Sequence, residues 1–187
     1  MSASRIDETK KFLPVRIAVL TVSDTRTKDN DTSGDTLVER LTAAGHVLAD
    51  RALLRDDVAS IADLLKKWIA RSDVDVIIST GGTGLTGRDV TVEAMRPLFE
   101  KEIDGFSALF HQISFEKVGT STIQSRACAG LAAGTFLFAL PGSTGAVKDG
   151  GDGLLRWQLD VRHLPCNFVE IMPRLQEHLP VAERKHN

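Results

Sequence analysis

The chain has 187 residues, of which 42% are hydrophobic and 26% charged, a composition that suits one soluble globular domain and not a disordered segment. Its 23 Lys and Arg against 25 Asp and Glu give a formal charge of −2, so there is no basic excess with which to follow a nucleic-acid backbone. No apolar run approaches the ~18 residues that span a bilayer, and the polar start Met1–Lys11 lacks the apolar core of a signal peptide. The expectation is a cytoplasmic protein with no nucleic-acid and no membrane partner.

Taken in chain order, residues 1–14 are expected as a flexible tail, and Arg16–Val22 (RIAVLTV) as a central parallel strand, apolar on both faces. Ser23 to Asp35 reads as a polar loop. Leu37, Val38, Leu41 and Ala44 then recur at helical spacing up to Gly45, a C-terminal cap. Val47–Leu54 reads as a second strand, and Ile61, Leu64, Leu65, Trp68 and Ile69 as one face of a helix that starts near Asp56 and Asp57. Val76–Ile78 forms a further buried strand. Thr91–Phe99 and Ile103–Phe115 read as helices, with Val92, Met95, Leu98 and Phe99 inward in the first and Phe106, Leu109, Phe110 and Ile113 inward in the second.

Ser121–Ala133 is predicted as a helix of small residues, and Thr135–Leu140 (TFLFAL) as a strand that stops at Pro141-Gly-Ser-Thr-Gly145. Ala146–Leu159 shows helical periodicity weakened by Gly150, Gly151 and Gly153, and Phe168, Ile171, Met172 and Leu175 mark a last helix. Strands alternating with helices predict right-handed crossovers, hence a three-layer α/β/α domain over residues 15–178 with a mostly parallel sheet, followed by a tail at 179–187. Cys128 and Cys166 lie far apart and are expected as free buried thiols. His46, His111, His163, His178 and His186 form no H-x-x-x-H pair, so no structural metal is expected.

The most informative stretch is Asp75-Val-Ile-Ile-Ser-Thr-Gly-Gly-Thr-Gly-Leu-Thr-Gly-Arg-Asp-Val-Thr91. Glycines after a buried strand let the backbone approach a ligand closely, and successive N–H groups leading into a helix attract anions. Gly82 to Gly87 matches G-x-G-x-x-G, but a dinucleotide site wants this in the first β-α-β unit with an acidic-ended strand about 20 residues on, so no NAD is expected. A P-loop is also disfavoured, because Arg88-Asp89 replaces its Lys-Ser/Thr. Ser143 lacks the G-x-S-x-G spacing of a nucleophile, so its hydroxyl is left to bond a ligand phosphate or its own turn.

In an α/β sheet, ligands bind beyond the carboxyl ends of the strands. That edge gathers Ser23-Asp24, Gly81 to Asp89 and Pro141 to Gly145, with Asp56 beside them. Asp56 and Asp89 stand at loop-to-helix junctions, where Asp is also a common cap. Beside a phosphate seat they would suffice for Mg²⁺, which keeps several waters and takes one or two protein carboxylates.

Ile-Ser-Thr-Gly-Gly-Thr-Gly with Arg88-Asp89-Val-Thr91, Ser23-Asp24 and Leu140-Pro-Gly-Ser143 together resemble the MogA/MoaB family of molybdenum cofactor biosynthesis proteins. Asp31-Thr-Ser-Gly34, Glu102-Ile-Asp-Gly-Phe106, Gly119-Thr-Ser-Thr-Ile-Gln-Ser-Arg126 and Leu164-Pro-Cys-Asn-Phe168 extend the likeness over Arg16 to Arg174, the last two toward the bacterial MoaB branch. The resemblance implies a MogA-like molybdopterin-binding fold, assembly as a homotrimer or a hexamer, and contact with other cofactor-biosynthesis proteins.

It also implies a reaction: the terminal phosphate of molybdopterin attacks the α-phosphorus of Mg·ATP, giving adenylylated molybdopterin and pyrophosphate. By position, Asp56 and Asp89 match the aspartates tied to transfer and to Mg²⁺. Gly81, Gly82, Thr83 and Gly84 match the nucleotide and pterin-phosphate loop, Ser23, Asp24, Arg88 and Thr91 flank it, and Pro141, Gly142 and Ser143 match the Pro-Gly-Ser loop. Two departures stand out: Thr144-Gly145 replaces a common Pro-Lys, and His111 a common arginine, which predicts weaker anion binding. The alternative function is a non-catalytic molybdopterin-binding or carrier protein.

Overall fold

Alternation along Arg16–Val22 sends Ile17 and Val19 to one face of a sheet and Ala18, Leu20 and Val22 to the other, and each set is buried in its own apolar cluster. Two buried faces require helices on both sides. The computed structural model, which describes residues 5–185, has that arrangement. Its elements are β1 (Arg5–Ile6), β2 (Arg16–Val22), α1 (Thr32–Ala43), β3 (Val47–Leu54), α2 (Val58–Ile69), β4 (Val76–Thr80) and α3 (Thr91–Met95). There follow β5 (Lys101–Glu102), α4 (Asp104–Val118), β6 (Cys128–Ala132), β7 (Thr135–Leu140), α5 (Thr144–Gly150), α6 (Arg156–Gln158), β8 (His163–Leu164) and α7 (Phe168–Ile171).

The main sheet has six strands in the order β3-β2-β4-β7-β6-β5. β3, β2, β4 and β7 pair in parallel, and β6 runs antiparallel to both its neighbours. The mostly parallel α/β/α sandwich is therefore the observed class. Leu37 and Leu41 of α1 and Phe106 and Phe110 of α4 cover one face, together with Val147 of α5. Ile61, Leu65 and Trp68 of α2 and Val92 and Met95 of α3 cover the other. Each fully buried apolar side chain of this kind contributes roughly 1.5–3 kcal/mol.

Helix α1 carries the chain from β2 to β3 on one face, and α2 carries it from β3 back past β2 to β4 on the other. This reversal splays the loops after β2 and β4 apart and opens a crevice at the carboxyl edge of the sheet.

Several expectations are corrected. Ser121–Ala133 is not a helix: turns over Gly119–Gln124 lead into β6, which forms a hairpin with β7 through Ala133 and Gly134, both with positive φ. The small residues serve close packing, since a β-carbon on Gly130 would lie 2.2 Å from the Phe99 ring. The helix at Thr91 ends at Met95 and tightens over Arg96–Leu98, where Pro97 removes a donor. Leu109 faces outward at 51% exposure, while Phe106 and Phe110 are buried.

Gly151–Leu155 forms a π-turn between α5 and α6, so the glycines re-shape this helix and do not end it. Of the two free cysteines, Cys128 is buried and Cys166 is exposed. Within the segments expected as tails, β1 pairs with β8 and Lys185 Nζ donates to Val74 O at 2.8 Å. His186 lies outside the described residues.

Candidate functional site

The loops after β2, β4 and β7 enclose a cleft of about 570 Å³. Of the residues singled out in the sequence, Ser23, Asp24, Asp56, Gly81, Gly82, Thr83, Gly84, Arg88, Asp89, Pro141 and Gly142 line it. Strand ends far apart in sequence meet there because β2, β4 and β7 are parallel neighbours, in register at Thr21, Thr80 and Leu140.

The glycine loop is shaped by what it touches. Gly82 has φ +65°, and a β-carbon on it would lie 2.3 Å from Thr91 Oγ1 and 2.8 Å from Asp56 Oδ1. Gly84 has no unusual φ but meets the other carboxylate, with Asp89 Oδ2 2.8 Å from its ideal β-carbon. The two aspartates thus pack directly against two glycines of the same loop. Among the described residues, the N–H groups of Gly82 and Thr83 donate to no backbone carbonyl, which leaves them for an anion.

Thr91, which the resemblance placed beside the phosphate loop, and Ser143, whose hydroxyl was left to a ligand phosphate or to its own turn, both bond within the protein. Thr91 is fully buried behind the loop, with its hydroxyl donating to Gly81 O at 2.8 Å and its N–H to Gly82 O at 2.9 Å. It holds the loop from the protein side. Ser143 caps α5, accepting from Ala146 N at 3.1 Å, and does not line the cleft.

The carboxylates differ in their surroundings. Asp24 takes a bidentate pair from Arg88, at 2.7 and 2.9 Å, which holds its carboxyl below the usual range. Burial disfavours the charged form of Asp89, yet the hydroxyl and N–H of Thr86, at 2.6 and 2.9 Å, keep its carboxyl low. Asp56 moves the opposite way: burial, then the negative charges of Asp24 and Asp89, push its carboxyl up. The α2 cap is Asp57, which accepts from Ser60 N, so Asp56 is free of the capping role. An under-compensated carboxylate of this kind binds either a proton or a cation.

Sequence reasoning missed part of the wall. Arg26 lines the cleft, donating to Ser33 Oγ at 2.8 Å and to Gly142 O at 3.1 Å, while Ser33 also donates to Gly142 O at 2.7 Å. These contacts tie the first turn of α1 to the loop after β7. Asp31, 1% exposed, supports them by capping α1 and pairing with Arg51. Ser121, Gln124 and Ser125 close the opposite wall. Arg126 sits behind the loop and donates to Gly84 O at 2.7 Å and Asp89 O at 3.0 Å, besides pairing with Glu93. Asp31 and Ser33 fall in the Asp31–Gly34 motif and Ser121, Gln124, Ser125 and Arg126 in the Gly119–Arg126 motif, whereas Arg26 carried no sequence signal.

Fold and cleft define an α/β/α protein with a glycine-lined, carboxylate-flanked cleft at the switch of its sheet. The family model described as "Probable molybdopterin binding domain" matches residues 18–160, and the chain belongs to that family. The Escherichia coli K12 protein named molybdenum cofactor biosynthesis protein B is 47% identical over 158 residues, 84% of this chain and 93% of that protein.

A crystal structure of a molybdenum cofactor biosynthesis protein B superposes with a TM-score of 0.81 at 37% identity, covering 90% of this chain and 99% of that one. The tungsten cofactor synthesizing protein MoaB from Pyrococcus furiosus gives 0.69 at 33% identity, covering 88% and 96%. This chain's role lies in molybdenum cofactor biosynthesis. No helix among the described residues is long and apolar enough to cross a membrane.

Proposed function

We propose that this protein binds molybdopterin in the cleft and adenylylates it with ATP. The observation that carries this reading is the under-compensated Asp56 carboxylate, packed against a glycine loop whose N–H groups at Gly82 and Thr83 make no backbone bond among the described residues. The N–H groups hold phosphate, and the carboxylates hold the cation that phosphate brings.

The residues fit magnesium. Among the described residues no three His, Cys, Asp or Glu side chains converge to hold a metal by themselves. Asp56, from the loop between β3 and α2, and Asp89 bring two carboxylates against Gly82 and Gly84 of the glycine loop, and magnesium completes its shell with water and phosphate oxygens. When bound, it neutralises charge on the phosphates and on the departing pyrophosphate.

A terminal phosphate oxygen of molybdopterin forms a bond to the α-phosphorus of ATP as the bond to pyrophosphate breaks. The nucleophile is already an anion, so no side chain has to remove a proton. The chain's own contribution is alignment: Thr91 and Arg126 fix the loop from behind, and Arg26 and Ser33 fix the Gly142 carbonyl.

The test is incubation of the protein with molybdopterin, Mg²⁺ and ATP. Adenylylated pterin and pyrophosphate are expected, with loss of product in Asp89→Ala. Folded wild type that binds molybdopterin and yields no product would sink the catalytic reading. It would support the second one, a non-catalytic carrier, which has its own observation: Asp89 already gives its carboxylate to Thr86.

Assembly as a trimer or hexamer completes the proposal. Leu109, Phe115, Val118 and Ile123, between 51% and 79% exposed on α4 and the turns after it, supply apolar surface for subunit or partner contact.

A further inference from the structure

Helix α1, whose first turn walls the cleft through Ser33, also bounds a second cavity. It has a volume of about 310 Å³ and an apolar lining that includes Ile17, Leu37, Leu41, Ile78, Leu155 and Leu159. The π-turn Gly151–Leu155 forms one side, and π-turns often mark functional positions in helices. Space is real at this turn, because a β-carbon on Gly151 would meet no atom within 4 Å. A smaller cavity of about 260 Å³ shares Ala43, Ala44, His46 and Arg156 with it.

The shared wall is rich in donors. His46 is 8% exposed, and its Nδ1 accepts from Val15 N at 3.2 Å, so the ring proton sits on Nε2. Among the described residues that N–H has no hydrogen-bond partner, and His46 lines both cavities. Arg40 Nε is buried without a partner while its Nη1 pairs with Asp152. Arg156 adds a guanidinium, 5.1 Å from the centre of the Trp157 ring. The acidic groups nearby are taken, Asp152 by Arg40 and Asp160 by Arg162.

We propose that this cavity is a binding site for a small carboxylate with a compact apolar body, distinct from the cleft at the sheet edge. Its carboxylate meets His46 Nε2–H and Arg156, and its hydrocarbon fills the space between α1 and the π-turn. One neutral N–H and one guanidinium suit a single negative charge, and the leucine and isoleucine lining is unfit for a polyphosphate. The site does not depend on the adenylyl-transfer reading.

The test is a calorimetric titration of the full chain with straight-chain carboxylates from butyrate to octanoate, with methyl NMR of Leu41 and Leu155. One saturable site per chain is expected, with affinity rising roughly three- to fourfold per methylene. Gly151→Leu places a side chain in the empty space and should weaken octanoate binding at least tenfold while the circular dichroism stays native. Arg156→Glu, on an exposed side chain, should weaken it similarly and covers the case that the glycine variant fails to fold. No saturable binding, affinity indifferent to chain length, or binding unchanged in both variants overturns the proposal. So does binding that appears only when an oligomer dissociates, which would assign the cavity to a second copy of this chain.

Discussion

Asp56 and Gly82 are in contact across the cleft wall: the carboxylate oxygen stands 2.8 Å from the point where a β-carbon on the glycine would be. A glycine is needed here for space as well as for its φ of +65°. Gly82→Ala should therefore cost about 1–3 kcal/mol of stability, read as a lower urea midpoint with an unchanged slope. It should also weaken phosphate binding, because Asp56 or Thr91 must shift. A variant with wild-type midpoint and affinity would contradict this packing.

The charge on Asp56 should be unfavourable to the ligand-free fold. Its carboxyl is raised in the folded state, so as pH climbs from the unfolded value through the folded one, the unfolded chain releases its proton first and stability falls. Asp56→Asn removes that loss. At pH 7 the variant should melt higher than wild type without ligand, yet gain less from Mg²⁺ with ATP and form no adenylylated product. Thermal melts of both proteins from pH 4 to 7 check the sign.

Arg126 fastens Gly84 O and Asp89 O, the two ends of the loop segment that carries Arg88. A lysine has one head group and cannot reproduce that fork. Arg126→Lys should lower kcat/KM for adenylylation by about one to two orders of magnitude, a loss of roughly 1.4–2.7 kcal/mol of transition-state stabilisation. Circular dichroism should be unchanged, and molybdopterin binding measured separately divides the effect between KM and kcat.

The two thiols should react unequally. Burial pushes the Cys128 thiol up to about 11, whereas Cys166 is exposed. A disulfide reagent at pH 8 should titrate one thiol per native chain and two after denaturation. Two fast thiols in the native protein would contradict the buried position of β6.

The sequence by itself determined the frame and the location of the cleft. Runs such as RIAVLTV and TFLFAL are apolar at every pleat position, so they demand cover on both faces and hence a parallel sheet between helices. A glycine burst after such a strand marks the ligand edge by local backbone chemistry, and Asp56, Asp89 and Gly81 to Gly84 were legible for that reason.

Tertiary structure decided what depends on partners distant in the chain. Cys128–Ala132 has small residues that suit a helix locally, but Phe99 needs the space over Gly130 and β7 needs a neighbour, so the segment is a strand. The sequence left the Ser143 hydroxyl to a phosphate or to its own turn, and only the fold shows that it caps α5 and that Thr91 is buried against Gly81 O. Arg26 and Arg126 act on carbonyls 116 and 42 residues away. A long, flexible guanidinium can reach many partners, and the fold alone selects which ones it meets.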